Sequence, residues 1–175
     1  LGLDAASGLT SYAAIGAQLA SAVRDPQVAG ILLDIDSPGG ETGGVFELAE
    51  AVRAAAATSP VWAVANDAAF SAAYAIAAAA TRVLLTRTGG VGSIGVIALH
   101  VDQSVADANE GVRYTAITAG SRKNDYSPHE PLSTQAHAQL QAEVNRLYEL
   151  FVAHVAAVRG LSAEAVRATN AGLYF

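Results

Sequence analysis

The 175-residue sequence has no cysteine, no methionine, one tryptophan and one lysine. Without cysteine there can be no disulfide, no thiolate metal site and no cysteine nucleophile. Without methionine, Leu1 is not a translation start, so the chain is expected to be a piece of a longer protein, cut at both ends. Positive charge is scarce too. Ten Lys and Arg stand against sixteen Asp and Glu, a net charge of −6, which argues against nucleic acid or an anionic membrane as partner. No apolar run reaches the ~18 residues of a bilayer span, and no charged-then-apolar leader opens the chain, so no membrane segment is expected. No His, Asp or Glu cluster has metal-ligand spacing, so neither a metal nor a cofactor is expected.

What is present is ample apolar material, 52% of residues, in a length that suits a single domain over 1–175. Ser11 to Val23 has helical spacing, with Ile15, Leu19 and Val23 on one stripe. Val28 to Ile35 is a continuous apolar run bounded by Pro26 and Pro38, the pattern of a buried parallel strand. Val45, Leu48, Ala49 and Val52 recur at helical intervals. Further strands are predicted at Val61–Ala65, Arg82–Thr86, Val96–Val101 and Arg113–Thr118. A long amphipathic helix is predicted from Ser133 to Val158, with Leu140, Val144, Leu147, Phe151, Val155 and Val158 on one side. This alternation predicts an α/β fold with a mostly parallel sheet, flanking helices and a long C-terminal helix.

Ligands of such folds sit beyond the carboxyl ends of the strands, which directs attention to three loops. "DIDSPGGETGG", Asp34 to Gly44, follows the first strand. Pro38 stops the strand, and Gly39 and Gly40 allow a turn whose N–H groups face outward, either as an anion cradle or simply as a tight connection. "TGGVGSIGV", Thr88 to Val96, has Gly90, Gly92 and Gly95 at dinucleotide-motif spacing. However, "VIALHV" follows where that motif requires a helix, so Ser93 reads instead as a hydroxyl on a glycine-rich turn. "AGSRKNDYSPHEP", Ala119 to Pro131, carries Lys123, the one lysine beside nine arginines. Arginine cannot lose its proton in a protein, whereas a lysine buried away from carboxylates can serve as a base. The alternative is a lone lysine on a solvated loop.

A fourth position completes the set. Ser71 stands between an apolar strand and the short alanine helix "AAYAIAAAA". Taken alone it reads as an N-cap, since serine accepts hydrogen bonds from first-turn N–H groups. Beside a glycine turn and a single lysine it also reads as a nucleophile, with the parts of a Ser–Lys acyl-transfer site around it.

"LDIDSPGG", "AAFSAAYAIA", "GGVGSIGV" and "TAGSRKNDYSP" occur here in the order found in signal peptide peptidase A (protease IV), a family the chain resembles from about Ile15 to Phe175. The extended motifs are most similar to its bacteriophage branch of head-maturation and capsid-assembly proteases. The resemblance implies a ClpP/crotonase-like fold and a Ser–Lys serine endopeptidase. Ser71 would be the nucleophile and Lys123 the general base, with Ser93 orienting the lysine. Gly40 and Ala72 would donate oxyanion N–H groups, and Gly39 would shape their turn. It also implies protein substrates such as capsid, portal or scaffold proteins, and a homo-oligomer with active sites shared between subunits. The implied location is the assembling procapsid in the host bacterial cytoplasm. One departure is plain: Ala72 and Ala73 follow the serine where the family commonly has glycines. Three other readings stand beside it. One is a ClpP-like Ser–His–Asp protease using Ser71, His100 and an aspartate such as Asp102. Another is a non-hydrolytic crotonase-like acyl-CoA enzyme, and the third is a catalytically silent assembly module.

Overall fold

The structure, a computed structural model, describes residues 10–175. They form two compact units. The first comprises the described residues up to Gly95 together with Tyr148–Phe175, and the second comprises Val96–Leu147.

In the first unit, helix α1 (Tyr12–Arg24) starts at Ser11, whose Oγ accepts the Ala14 N–H at 3.1 Å, and stops at Asp25, just before Pro26. Strand β1 (Ile31–Ser37) leads through the glycine loop to α2 (Val45–Ala56). Strand β2 (Val61–Phe70) then runs straight into α3 (Ala72–Ala78), followed by β3 (Arg82–Leu85) and β4 (Gly90–Gly92). The unit closes with the last part of the long helix α5 (Thr134–Arg159), the short α6 (Ala163–Arg167) and β5 (Leu173–Tyr174). The fold is mixed α/β with a mostly parallel sheet, as the alternating sequence predicts.

Strand β2 organises this sheet. It pairs in parallel with β1 from Ile31↔Val61 to Ile35↔Ala65, and rejoins it at Ser37↔Ala69. Between those points β2 advances four residues while β1 advances two, so β2 bulges at Asn66–Ala68. On its other side β2 pairs first with β3, through Trp62–Ala65, and then with β4, through Ala68–Phe70. β5 closes the edge antiparallel to β4.

Small side chains make close packing possible. Ala75, Ala77 and Ala78 of α3 are buried against β2, and among the described residues the largest fully buried side chains are valines: Val52, Val61, Val152, Val155 and Val166. Each such valine contributes about 1.5–3 kcal/mol of hydrophobic stabilisation. The predicted α1 stripe is only partly used, since Leu19 is buried while Val23 is exposed.

The first strand departs from expectation. It begins at Ile31 rather than Val28, and it is not buried on both faces: Ile31, Leu33 and Ile35 face the core side, while Leu32, Asp34 and Asp36 are exposed. The exposed face continues through Trp62, in register with Leu32 and Arg82, and the Arg82 guanidinium lies 5.3 Å from the Trp62 ring centre.

In the second unit, α4 (Ser104–Asn109) and the first part of α5 (Thr134–Arg159) are the helices. Ser133 Oγ accepts the Ala136 N–H at 3.1 Å and so caps α5 where the sequence places its start. The segments 96–101 and 113–118, predicted as strands, are not strands. No backbone ladder forms along either, and Ile97, Leu99, Val101 and Ile117 are exposed, Ile117 at 96%. Alternating branched residues suit a strand, but a strand also needs a partner backbone, and the described residues supply none there.

Candidate active site

Strand β2 ends at Phe70, α3 begins at Ala72, and Ser71 alone makes the corner. Its backbone sits at φ 51° and ψ −122°, a region that side-chain-bearing residues rarely occupy. Holding a residue there costs about 1–3 kcal/mol. The corner is pinned from both sides, since Ser71 N–H donates to Gly92 O at 2.9 Å and Ala75 N–H donates to Ser71 O at 3.0 Å. The hydroxyl makes no capping hydrogen bond to α3. The N-cap reading of Ser71 is therefore not what its side chain does.

Directly beyond the carboxyl end of β1 lies the glycine turn. Gly39 has φ +132°, and a Cβ placed on it would stand 2.9 Å from Ser71 Cβ and 3.4 Å from Ser71 Oγ. Any larger residue would therefore displace the serine, and only glycine adopts this backbone without strain. The turn is tied by Ser37, whose Oγ accepts the Gly39 N–H at 3.3 Å and donates to Gly39 O at 3.1 Å. Since its N–H is engaged in this way, Gly39 contributes shape. Among the described residues the Gly40 N–H has no acceptor, and Ala72, as the first residue of α3, has no intrahelical one. A Cβ on Gly40 would lie 3.9 Å from Ala72 Cβ, so the two unengaged N–H groups belong to neighbouring residues.

Ser93 follows β4 as Ser71 follows β2. Phe70 and Gly92 are partners in the parallel ladder, so the two serines leave adjacent strands at the same level. Ser93 also has positive φ, 55°, and its N–H donates to Gly172 O at 2.8 Å. Of the glycines at dinucleotide spacing, Gly90 and Gly92 lie on β4, and no helix opens at Gly95, since residues 96–103 are irregular. The first unit thus brings together Ser71, Gly39, Gly40, Ala72 and Ser93.

Two residues of this edge escaped the sequence reading. Ser37 had a usable signal, a hydroxyl two residues before the turn glycine in "SPGG". Tyr12 had none, because its contact is made across 29 residues of chain: its hydroxyl donates to Glu41 O at 2.7 Å.

Lys123 belongs to the second unit, in the turn 121–126, where it is exposed and its N–H donates to Gly120 O at 3.1 Å. Among the described residues it has no carboxylate partner, whereas the adjacent Arg122 pairs with Asp125 at 2.8 Å. The loop is laced to the rest of its unit. Gln103 N–H donates to Pro128 O at 2.6 Å, His129 Nδ1 lies 2.8 Å from Asp107 Oδ2, and the His129 ring stacks on Tyr114 at 3.6 Å. The Asn124 side-chain amide donates to the Glu130 carboxylate.

His100 Nε2 lies 2.9 Å from Ser127 O, also within this unit. The Asp102 carboxylate instead accepts from Ser104 Oγ at 2.6 Å and Ser104 N–H at 2.9 Å, bonds that hold its pKa below the usual value. The His–Asp hydrogen bond of a Ser–His–Asp arrangement is thus not made by this pair. Among the described residues, no three His, Asp or Glu side chains converge as a metal site, and no helix is long and apolar enough to cross a membrane.

Fold and edge together define an α/β protein whose loop chemistry gathers beyond the carboxyl ends of parallel strands. The chain belongs to Peptidase family S49, whose sequence model matches residues 53–175. It is 40% identical over 168 residues to Capsid assembly protease C of Escherichia phage lambda, covering 96% of this chain and 38% of that protein. Over 173 residues it is 40% identical to Head-tail preconnector protein GP5 of Enterobacteria phage P21, covering 99% of this chain and 34% of that protein. The chain therefore spans little more than a third of either relative. Among solved structures it is similar to an enoyl-CoA hydratase from Polaromonas sp. JS666, with 14% identity and a TM-score of 0.44, covering 92% of this chain and 78% of that one. The resemblance read from the four motifs, to this peptidase family and its bacteriophage members, stands.

Proposed function

We propose that this chain is the catalytic domain of a serine endopeptidase that matures phage heads, with Ser71 as nucleophile and Lys123 as general base. The observation that carries the reading is the corner at Ser71: a strained, uncapped hydroxyl against a glycine that has no room for a side chain. Strain of this kind persists where function needs it. As Ser71 Oγ attacks the scissile carbonyl, its proton passes to the neutral Nζ of Lys123. The carbonyl oxygen becomes an oxyanion between the N–H groups of Gly40 and Ala72. Lys123 then returns the proton to the leaving amine, and water hydrolyses the acyl-enzyme by the same route. Ser93 orients the lysine, and Gly39 shapes the turn.

A lysine base must be shielded from water, yet Lys123 is exposed in the single chain. We infer that a neighbouring copy covers it, so that the enzyme works as a homo-oligomer with active sites shared between subunits. The exposed apolar residues of 96–101 and 113–118 suit that contact. The proposed substrates are capsid, portal or scaffold proteins, processed in the assembling procapsid within the host cytoplasm; relatives named as a capsid assembly protease and a head-tail preconnector protein support this reading.

The test is mass spectrometry of a candidate capsid or scaffold protein incubated with wild type, Ser71→Ala, Lys123→Ala and Lys123→Arg, alongside fluorophosphonate labelling. Ser71→Ala should abolish both cleavage and labelling. Lys123→Arg should be as inactive as Lys123→Ala, because arginine keeps its proton. Undiminished cleavage by Ser71→Ala would overturn the assignment, and an active Lys123→Arg variant would remove the lysine base.

A further inference from the structure

The loop from Pro38 to Gly44 contains four glycines, Gly39, Gly40, Gly43 and Gly44, and glycine leaves a backbone freer than any other residue. An oxyanion donor works by being aimed before the reaction starts, so a loop this soft needs external anchors. Ser37 supplies one at Gly39. The other comes from α1: Tyr12 Oη donates to Glu41 O at 2.7 Å. The rest of its side chain lies along the same loop. A Cβ on Gly40 would come within 2.8 Å of Tyr12 Oη, and one on Gly44 within 3.5 Å of Tyr12 Cδ2. Gly40 is thus bracketed, with Ser37 holding the residue before it and Tyr12 the residue after.

We propose that Tyr12 is a positioning residue for the reaction: its hydroxyl clamps the Glu41 carbonyl and so keeps the Gly40 N–H aimed beside Ser71. Burial first, and the nearby Glu41 carboxylate second, raise the phenol's pKa above its ordinary value, so it remains a donor at neutral pH. The inference rests on the reading of Ser71 and Gly40 given under Proposed function. Tyr12 touches no reacting atom. It acts through the loop.

Tyr12→Phe removes the hydroxyl and keeps the ring. A donor that is aimed only part of the time lowers transition-state binding without touching substrate binding. The expected result is a loss of about tenfold in kcat with KM changed by less than about twofold, milder than the 10²–10³ lost with a whole oxyanion donor. Amide hydrogen exchange at Gly40 and Glu41 should quicken by a similar factor while the melting temperature holds. Ser11→Ala is the control: it uncaps the same helix but leaves the clamp, so kcat should stay at the wild-type value. Unchanged exchange in the loop, or a rise in KM that accounts for the whole loss, would overturn the clamp. If Ser71→Ala still cleaves, the catalytic reading fails instead, and the exchange measurement still reports whether Tyr12 holds the turn.

Discussion

A serine at φ 51° and ψ −122° is held against its own preference by two backbone hydrogen bonds and by the sheet beneath it. Glycine adopts such backbone without strain, alanine does not. Ser71→Gly should therefore be more stable than Ser71→Ala by about 1 kcal/mol or more, although both lack the nucleophile. Urea unfolding of the two variants measures this, and an alanine variant equal to or more stable than the glycine variant would mean the corner is not strained. The residues proposed for the site stand out in the sequence as residue types: hydroxyl, glycine turn and single lysine. Their conformation was not, because φ and ψ at Ser71 are imposed by Gly92 and Ala75, neither of which marks the local sequence around "AFSAA".

Helix α5 shows how far periodicity carries. The stripe from Leu140 to Val158 lies on one long helix, as its spacing predicts, but burial along it is uneven. Phe151, Val152 and Val155 are buried, and Phe151 meets Phe46 edge-on at 6.1 Å, whereas Leu150 is 45% exposed. Phe151→Ala should cost about 3–5 kcal/mol in chemical denaturation, and Leu150→Ala no more than about 0.5 kcal/mol. Equal losses at the two positions would show that the helix does not pack through this face. The segments 96–101 and 113–118 make the opposite point. Their alternation describes how side chains would divide between two faces, and says nothing about whether a second backbone lies alongside.

Across the molecule, two half-buried phenols tie stability to alkaline pH. Burial raises the pKa of both Tyr12 and Tyr74, with Glu41 adding to the first and Arg159 opposing the second. Because their folded pKa values lie above the unfolded value of about 10, the stabilisation they represent is complete below that pH. It is lost as pH climbs through the folded values. Unfolding midpoints in urea should hold steady from about pH 8 to 10 and fall above it, and Tyr74→Phe should flatten the fall. A midpoint independent of pH there, or one that rises, would contradict the assignment.

The sequence by itself determined the α/β alternation, the start of α5 at Ser133, the loops worth examining and the peptidase family, because caps, periodicity, glycine turns and motif order are local or follow chain order. Only the tertiary structure decided that β2 bulges at Asn66–Ala68 and passes from β3 to β4, bringing Ser71 level with Ser93. It alone set Gly39 against the serine hydroxyl and laid Tyr12 across the glycine loop. These contacts join residues far apart in the chain, and their geometry follows from how strands pair and helices pack. No window of neighbouring residues encodes that.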